Sequence, residues 1–146
     1  PYFHVFLASQ VKANDKGFLS KDVLVSDLIS LRGDIHHLFP KDYLSKHGLD
    51  RGKYNQIANY VYMQSEVNIK VGNKPPKDYF ELIKSQIQDE NRQVSGLSTE
   101  QDLLDNLKMN CVPTEIMDMN INDYQDFLTL RRKLMAQKIK AYYFSL

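Results

Sequence analysis

Residues 122 to 146, NDYQDFLTLRRKLMAQKIKAYYFSL, constrain the fold more than any other stretch. Apolar side chains stand at 124, 127, 128, 130, 134, 135, 139, 142 and 143. That spacing is the stripe of a helix that buries one face. Asn122 is the expected N-cap. At 146 residues the chain is one domain's worth and can bury a core without covalent staples. Its single cysteine, Cys111, rules out an internal disulfide and a cysteine-based zinc ribbon. A reducing, cytoplasmic setting fits that usage best. No apolar run approaches the roughly 18 residues of a membrane span. The opening YFHVFLASQ lacks the basic start of a signal peptide, so no membrane partner is expected. The first residue is proline, which suggests a piece of a longer polypeptide.

The remaining segments read as mostly helical, with one small β element in the middle. PYFHVFLASQVKAN has helical spacing and is broken at Gly17. LVSDLISLRG is a second short helix ending at Gly33. DIHHLF is β-prone and stops at Pro40. KDYLSKHG predicts one or two helical turns with Gly48 at C′, and RGKYNQIAN another turn. NYVYM is the clearest strand. SEVNIKVGN should open a helix with Ser65 as N-cap. KPPKDYFELIKSQIQDE restarts a helix behind two prolines. LSTEQDLLDNLKMN carries a Ser/Thr-then-acid start.

Net charge is only +1, but its distribution is uneven. From Arg32 to Lys77 eight basic residues face four acids; from Asp78 to Asn110 three face seven. A basic segment of this kind suits a phosphate backbone, although a solvated surface can cluster in the same way. The basic segment also holds the adjacent pair His36 and His37. Neighbouring residues on a regular strand point to opposite faces, so the two imidazoles cannot share one role. Imidazole on a first strand, Asn59 leading a second strand and Asn68 early in a helix make a compact strand, strand, helix site. Such a layout suits phosphodiester hydrolysis. Histidine, with an unperturbed pKa of about 6.5, can take a proton from water near neutral pH. One divalent ion, bound by imidazole and oxygen ligands, can stabilise the charge on phosphate and leaving oxygen.

The segments DIHHLFP, IANYVYM and VNIKVGNKPP together resemble the HNH, or His-Me finger, nuclease motif. More narrowly, HHLFPKDYL, KYNQIANYVY, NIKVGNKPP with the following DYF, and RRKLMA resemble the C-terminal nuclease region of GmrSD-like bacterial restriction and phage-defence proteins. The resemblance implies a ββα-metal core over about 33–76, surrounded by helices, with a helical part over about 77–146. It implies a single nuclease domain, 1–146, in a bacterial cytoplasmic protein whose N-terminal part hydrolyses nucleotides. By the same resemblance His37 is the general base. Asn59 orients that base or braces the metal loop. His36 and Asn68 hold one divalent cation, Mg²⁺ first and Mn²⁺ or another ion as alternatives. Asp34 stands behind an imidazole and fixes its tautomer.

The sequence departs from the commonest HNH form in two ways. His stands at 36 in place of Asp, and the CxxC pairs that brace many such loops are missing, so packing has to hold the loop. DNA is the expected partner. Lys41, Lys70, Asn73, Lys74, Arg131 and Arg132 are candidates for its backbone, although the two arginines could instead brace the site or solvate the last helix. Asn55 reads as a turn residue, and the tyrosines at 54, 60 and 62 as core. Two other classes fit the same residues: a nucleic-acid-binding module without hydrolysis, and an α-helical protein-interaction domain in which the paired histidines are incidental.

Overall fold

A computed structural model describes residues 1–146 apart from 32, 34 and 91–93. The C-terminal stripe forms one long helix, α8, Tyr124–Ser145. Its start differs from the sequence expectation. Asp123, not Asn122, stands at the N-cap position of α8, and Asn120 caps the short 3-10 turn before it, Ile121–Asp123, by accepting from the Asn122 amide at 3.0 Å. The Asp123 carboxylate accepts from the Asn120 amide in return, also at 3.0 Å, and α8 grows directly out of that turn. Both ends of that reciprocal pair are satisfied.

Before α8 the chain runs through α1 (Tyr2–Lys12), α2 (Val25–Ser30), β1 (Ile35–His37), α3 (Lys41–Lys46), α4 (Arg51–Tyr54), β2 (Tyr60–Tyr62), α5 (Ser65–Val71), α6 (Pro76–Gln88) and α7 (Glu100–Met109). The protein is mostly helical with a small antiparallel two-stranded sheet. Among the described residues no helix is long and apolar enough to cross a membrane. Local chemistry explains most boundaries. Pro76 opens α6, where a missing N–H costs nothing. The Thr99 hydroxyl accepts from the Asp102 amide at 3.0 Å and starts α7. Gly48 stands just beyond α3 at φ +82°, the left-handed position that favours glycine. Ser65 is the first residue of α5 rather than its cap, which is Gln64.

The core gathers Phe6 of α1, Phe18, Leu38, Phe39, Leu44, Val61, Met63, Phe80, Ile83, Leu107, Phe127 and Met135, all nearly or fully buried. A buried amide of α7, Asn106, fastens the turn after α1. Asn106 Oδ1 accepts from the Leu19 amide at 2.8 Å, and its Nδ2 donates to the carbonyls of Gly17 and Ser20. Leu19 sits at φ +61°, a conformation that costs an ordinary side chain about 1–2 kcal/mol. The three bonds from Asn106 hold it there.

Arg131 is the surprise of α8. It lies in the buried face of the helix with Tyr124, Phe127, Leu128 and Met135, and is itself fully buried. Its Nη1 donates to the carbonyls of Ala58 and Tyr60 at 3.0 and 2.5 Å, and its Nη2 to the Asn110 carbonyl at 3.2 Å. The Phe6 ring lies 5.7 Å from its guanidinium carbon. Burial pushes its pKa down to about 10, still well above neutral, so the group stays charged. Arg131 therefore cannot hold a DNA phosphate; of the roles open to it in the sequence, bracing is the one observed. Its neighbours on α8 brace the same stretch of chain. Tyr124 Oη donates to the Lys53 carbonyl at 2.7 Å, and Arg132 Nη2 donates to Gln56 Oε1 at 3.0 Å. The long connection between β1 and β2 is thus pinned from one helix, by packing and hydrogen bonds. Arg131→Met removes the donors but keeps the stem, leaving three buried carbonyls short of a partner. Urea denaturation should show a loss of about 3 kcal/mol or more. Arg131→Lys should recover only part of it, since one ammonium cannot match the planar fork.

Candidate functional site

The site begins at Gly33. Its amide donates to the Leu28 carbonyl at 2.7 Å, and a Cβ there would meet that oxygen at 2.8 Å. Only glycine lets the chain leave α2 this closely and enter β1. In β1 the register pairs Ile35 with Tyr62, His36 with Val61 and His37 with Tyr60, antiparallel. Side chains alternate along the strand. His36 therefore shares a face with Val61, a core residue, and His37 shares the opposite face with Tyr60 and Ile35. The expectation that the two imidazoles diverge holds. Pro40 then ends the extended run and caps α3.

His37 is half-buried and closely surrounded. The rings of Tyr60 and Tyr54 stand edge-on to it, with centroids 5.4 and 6.1 Å away. Its Nε2 lies 2.9 Å from Asn55 Oδ1. An amide oxygen only accepts, so Nε2 carries the proton and Nδ1 keeps the lone pair. Lys41 completes the surround, its Nζ 5.8 Å from the centre of the Tyr54 ring. Burial is the main cause that lowers the His37 pKa from the ordinary imidazole range; the Lys41 charge lowers it further and the Asn55 bond opposes both. The result is an imidazole held neutral, in one tautomer, beside an exposed cation. Chemically, that is a proton acceptor ready at neutral pH.

The side-chain hydrogen bonds of Asn59 run elsewhere than to His37. The residue is fully buried. Its Oδ1 accepts from the Phe39 amide at 2.8 Å, and its Nδ2 donates to the carbonyls of Phe39 and Tyr54 at 3.1 and 3.3 Å. Asn59, which the sequence offers as catalytic, has its side-chain hydrogen bonds on the backbone of Phe39 and Tyr54. It ties the end of β1 to the start of β2 and to the residue next to Asn55. Asn55, read as a turn residue, is the partner of His37 that sequence reasoning missed. Nothing local marks it, since the contact spans 18 positions across a loop.

The other nominated residues are more dispersed. Asn68 is half-buried on α5, one turn into the helix, with its amide bonded to the Gln64 carbonyl. It lies outside the bonded group around His37. Lys41, Lys70, Asn73, Lys74 and Arg132 are exposed, as a phosphate contact requires, while Arg131 is not. Asp34 lies outside the described residues. The tyrosines at 54, 60 and 62 are partly buried against the core, as expected.

No family model, no curated protein and no solved structure matches this chain.

The donors nominated for a cation are one imidazole, His36, and one amide oxygen, Asn68. Among the described residues no three His, Cys, Asp or Glu side chains gather as a metal cage. One nitrogen and one neutral oxygen suit a hard divalent ion that keeps most of its water or takes phosphate oxygens.

The His37–Asn55 pair gives a direct test of the electrostatics. Asn55→Asp replaces a neutral acceptor with an anion next to the ring, which favours imidazolium. In an NMR titration of the His37 ring, the wild-type midpoint should lie below about 6.5. In Asn55→Asp it should rise by about one unit or more.

Proposed function

We propose that this chain is a metal-dependent DNA endonuclease domain of the His-Me finger type, built on a ββα-metal core formed by β1, β2 and α5. The observation that carries the reading is the 2.9 Å bond from His37 Nε2 to Asn55 Oδ1, on a ring that burial and Lys41 keep neutral. A histidine that serves only as core filler has no need of a fixed tautomer and a depressed pKa at a half-exposed strand end. A general base needs both.

In this mechanism His37 Nδ1 accepts a proton from water as the water oxygen attacks phosphorus. Asn55 holds the ring so that the lone pair stays on that nitrogen, and it bears the Nε2 proton while the ring is transiently cationic. Tyr54 and Tyr60 keep the ring from turning. Asn59 and Arg131 act behind it: they fix the ends of the strand connection, and so the distance between Asn55 and β1. His36 and Asn68 would hold the divalent cation, which supplies charge stabilisation for the phosphate and the departing 3′ oxygen when bound. Lys41, Lys70, Asn73, Lys74 and Arg132 would hold the DNA backbone, so affinity should fall steeply with salt. The resemblance to GmrSD-like proteins supports a place in a bacterial restriction or phage-defence protein, with base-modification sensing and nucleotide hydrolysis in a separate N-terminal part.

Nicking of supercoiled plasmid with Mg²⁺, with Mn²⁺ and with EDTA tests the proposal. Wild type should nick with either metal and stop in EDTA. His37→Ala should lose about 10²-fold or more in rate while keeping its DNA affinity. DNA binding without metal-dependent nicking would leave a non-catalytic binding module. Neither binding nor nicking would leave a protein-interaction domain.

A further inference from the structure

Asn55 has a second end. Its oxygen is engaged by His37, while its Nδ2 makes no hydrogen bond to a described residue. Asn55 also lines a hollow of about 560 Å³ between the 55–58 turn and α8. Much of the lining is apolar: Ile57, Ala58, Met135 and Ala136, together with the half-exposed Tyr2. Polar side chains complete it. They are the Asn55 amide, the Gln56 amide and the exposed Arg132 guanidinium, which Gln56 holds at 3.0 Å. A second and larger hollow, about 1080 Å³, opens between α7 and α8, but none of its lining residues belongs to the group around His37.

Flat apolar faces with a polar edge are the chemistry of a nucleobase, and the size falls within the range of small-ligand pockets. Aromatic rings and guanidinium planes stack on bases without regard to sequence, and side-chain amides reach base edges. Arg132 adds the one charge that a phosphate attached to that base needs. From these features we infer that the hollow lined by Asn55, Ile57, Met135 and Arg132 binds a nucleobase of the DNA substrate, next to the phosphate presented to His37. The inference rests on the nuclease reading and deepens it. Asn55 becomes a link: one end sets the His37 tautomer and the other donates to the bound base. A nucleotide seated in the hollow is thereby tied, through a single side chain, to the proton acceptor.

The pocket can be read without catalysis. The full chain, in EDTA, is titrated with a short thymidine oligomer and with an abasic oligomer of the same length. Methyl NMR follows Ile57, Ala58, Met135 and Ala136. The base-bearing oligomer should shift these methyls and bind more tightly; the abasic one should leave them in place and disturb only the surroundings of Arg132. Ala136→Phe fills the hollow from an exposed helix position and should weaken binding of the thymidine oligomer at least tenfold, with thermal unfolding unchanged. If that variant unfolds, Ala136→Gln narrows the hollow more gently and should show the same loss in smaller degree. Equal methyl shifts with both oligomers, or shifts confined to the groove between α7 and α8, would overturn the pocket, as would unchanged affinity in a folded Ala136→Phe. The two readings fail separately. A chain that shows base-dependent shifts but never nicks loses the nuclease and keeps the pocket; a chain that nicks without such shifts does the reverse.

Discussion

A buried guanidinium holds this structure in order. Arg131 brings a positive charge into the core with carbonyl oxygens as its polar partners among the described residues. Three segments meet at that point: the end of the connection between the strands, the start of β2, and the C-terminal end of α7. Each arrives with a carbonyl that its own secondary structure leaves unused. A buried carbonyl without a donor is costly, and no apolar side chain could serve three of them. A planar fork of donors can, and it fixes their mutual directions as well as satisfying them. The charge need not be neutralised, because the dipoles of three carbonyls converge on it. The guanidinium thereby selects one arrangement of three segments, whatever its net contribution to stability.

From Arg131 the order passes outward by short steps. The carbonyls it holds flank Asn59, and Asn59 holds both polar groups of the Phe39 backbone. Phe39 lies two residues after His37, and the Leu38 carbonyl between them accepts from the buried Tyr79 hydroxyl at 2.8 Å. Asn59 also grips the Tyr54 carbonyl, next to Asn55. Both partners of the His37–Asn55 bond are therefore anchored to one buried amide, and that amide to one buried cation. A chain with a single cysteine has no disulfide to brace this stretch, and the polar network does so.

Much of this was legible in the sequence where a local pattern carries it. Helical spacing gave α1, α6 and α8; β-branched and aromatic residues gave β2; Gly48 and the prolines before α6 marked their boundaries. The strand register follows from alternation, so the divergence of His36 and His37 could be read directly. What escaped was the long-range polar bonding. Arg131 lies seven residues after Tyr124, in phase with the buried stripe, but a charged residue in phase reads as an exception rather than as a member. Its phase was the available signal. Asn55 gave none, because its meaning lies in a ring on another strand. Asn59 reads from the sequence as catalytic, while its side chain fastens the backbone at Phe39 and Tyr54; sequence position does not separate the two kinds of role. The sequence places the cap of α8 at Asn122, one residue before Asp123, because the 3-10 turn that Asn120 caps just ahead of the helix is not visible in local pattern.

The adjacency of His36 and His37 also acquires a physical sense. On a strand, consecutive residues are the closest in sequence and the most separated in environment. His37 faces Tyr60, Tyr54, Asn55 and Lys41, a setting that favours the neutral ring. His36 faces the side of Val61, whose side chain packs in the same core as Val67 and Val71 of α5. Two identical side chains are thus given different surroundings by one peptide unit of displacement, with no difference in their own chemistry. Because the register fixes which ring meets which face, a shift of β1 by one residue would exchange the two environments. The network that runs from Arg131 through Asn59 to Phe39 opposes that slip. Its bonds end immediately after the histidines, where a register error in so short a strand would otherwise have little to resist it.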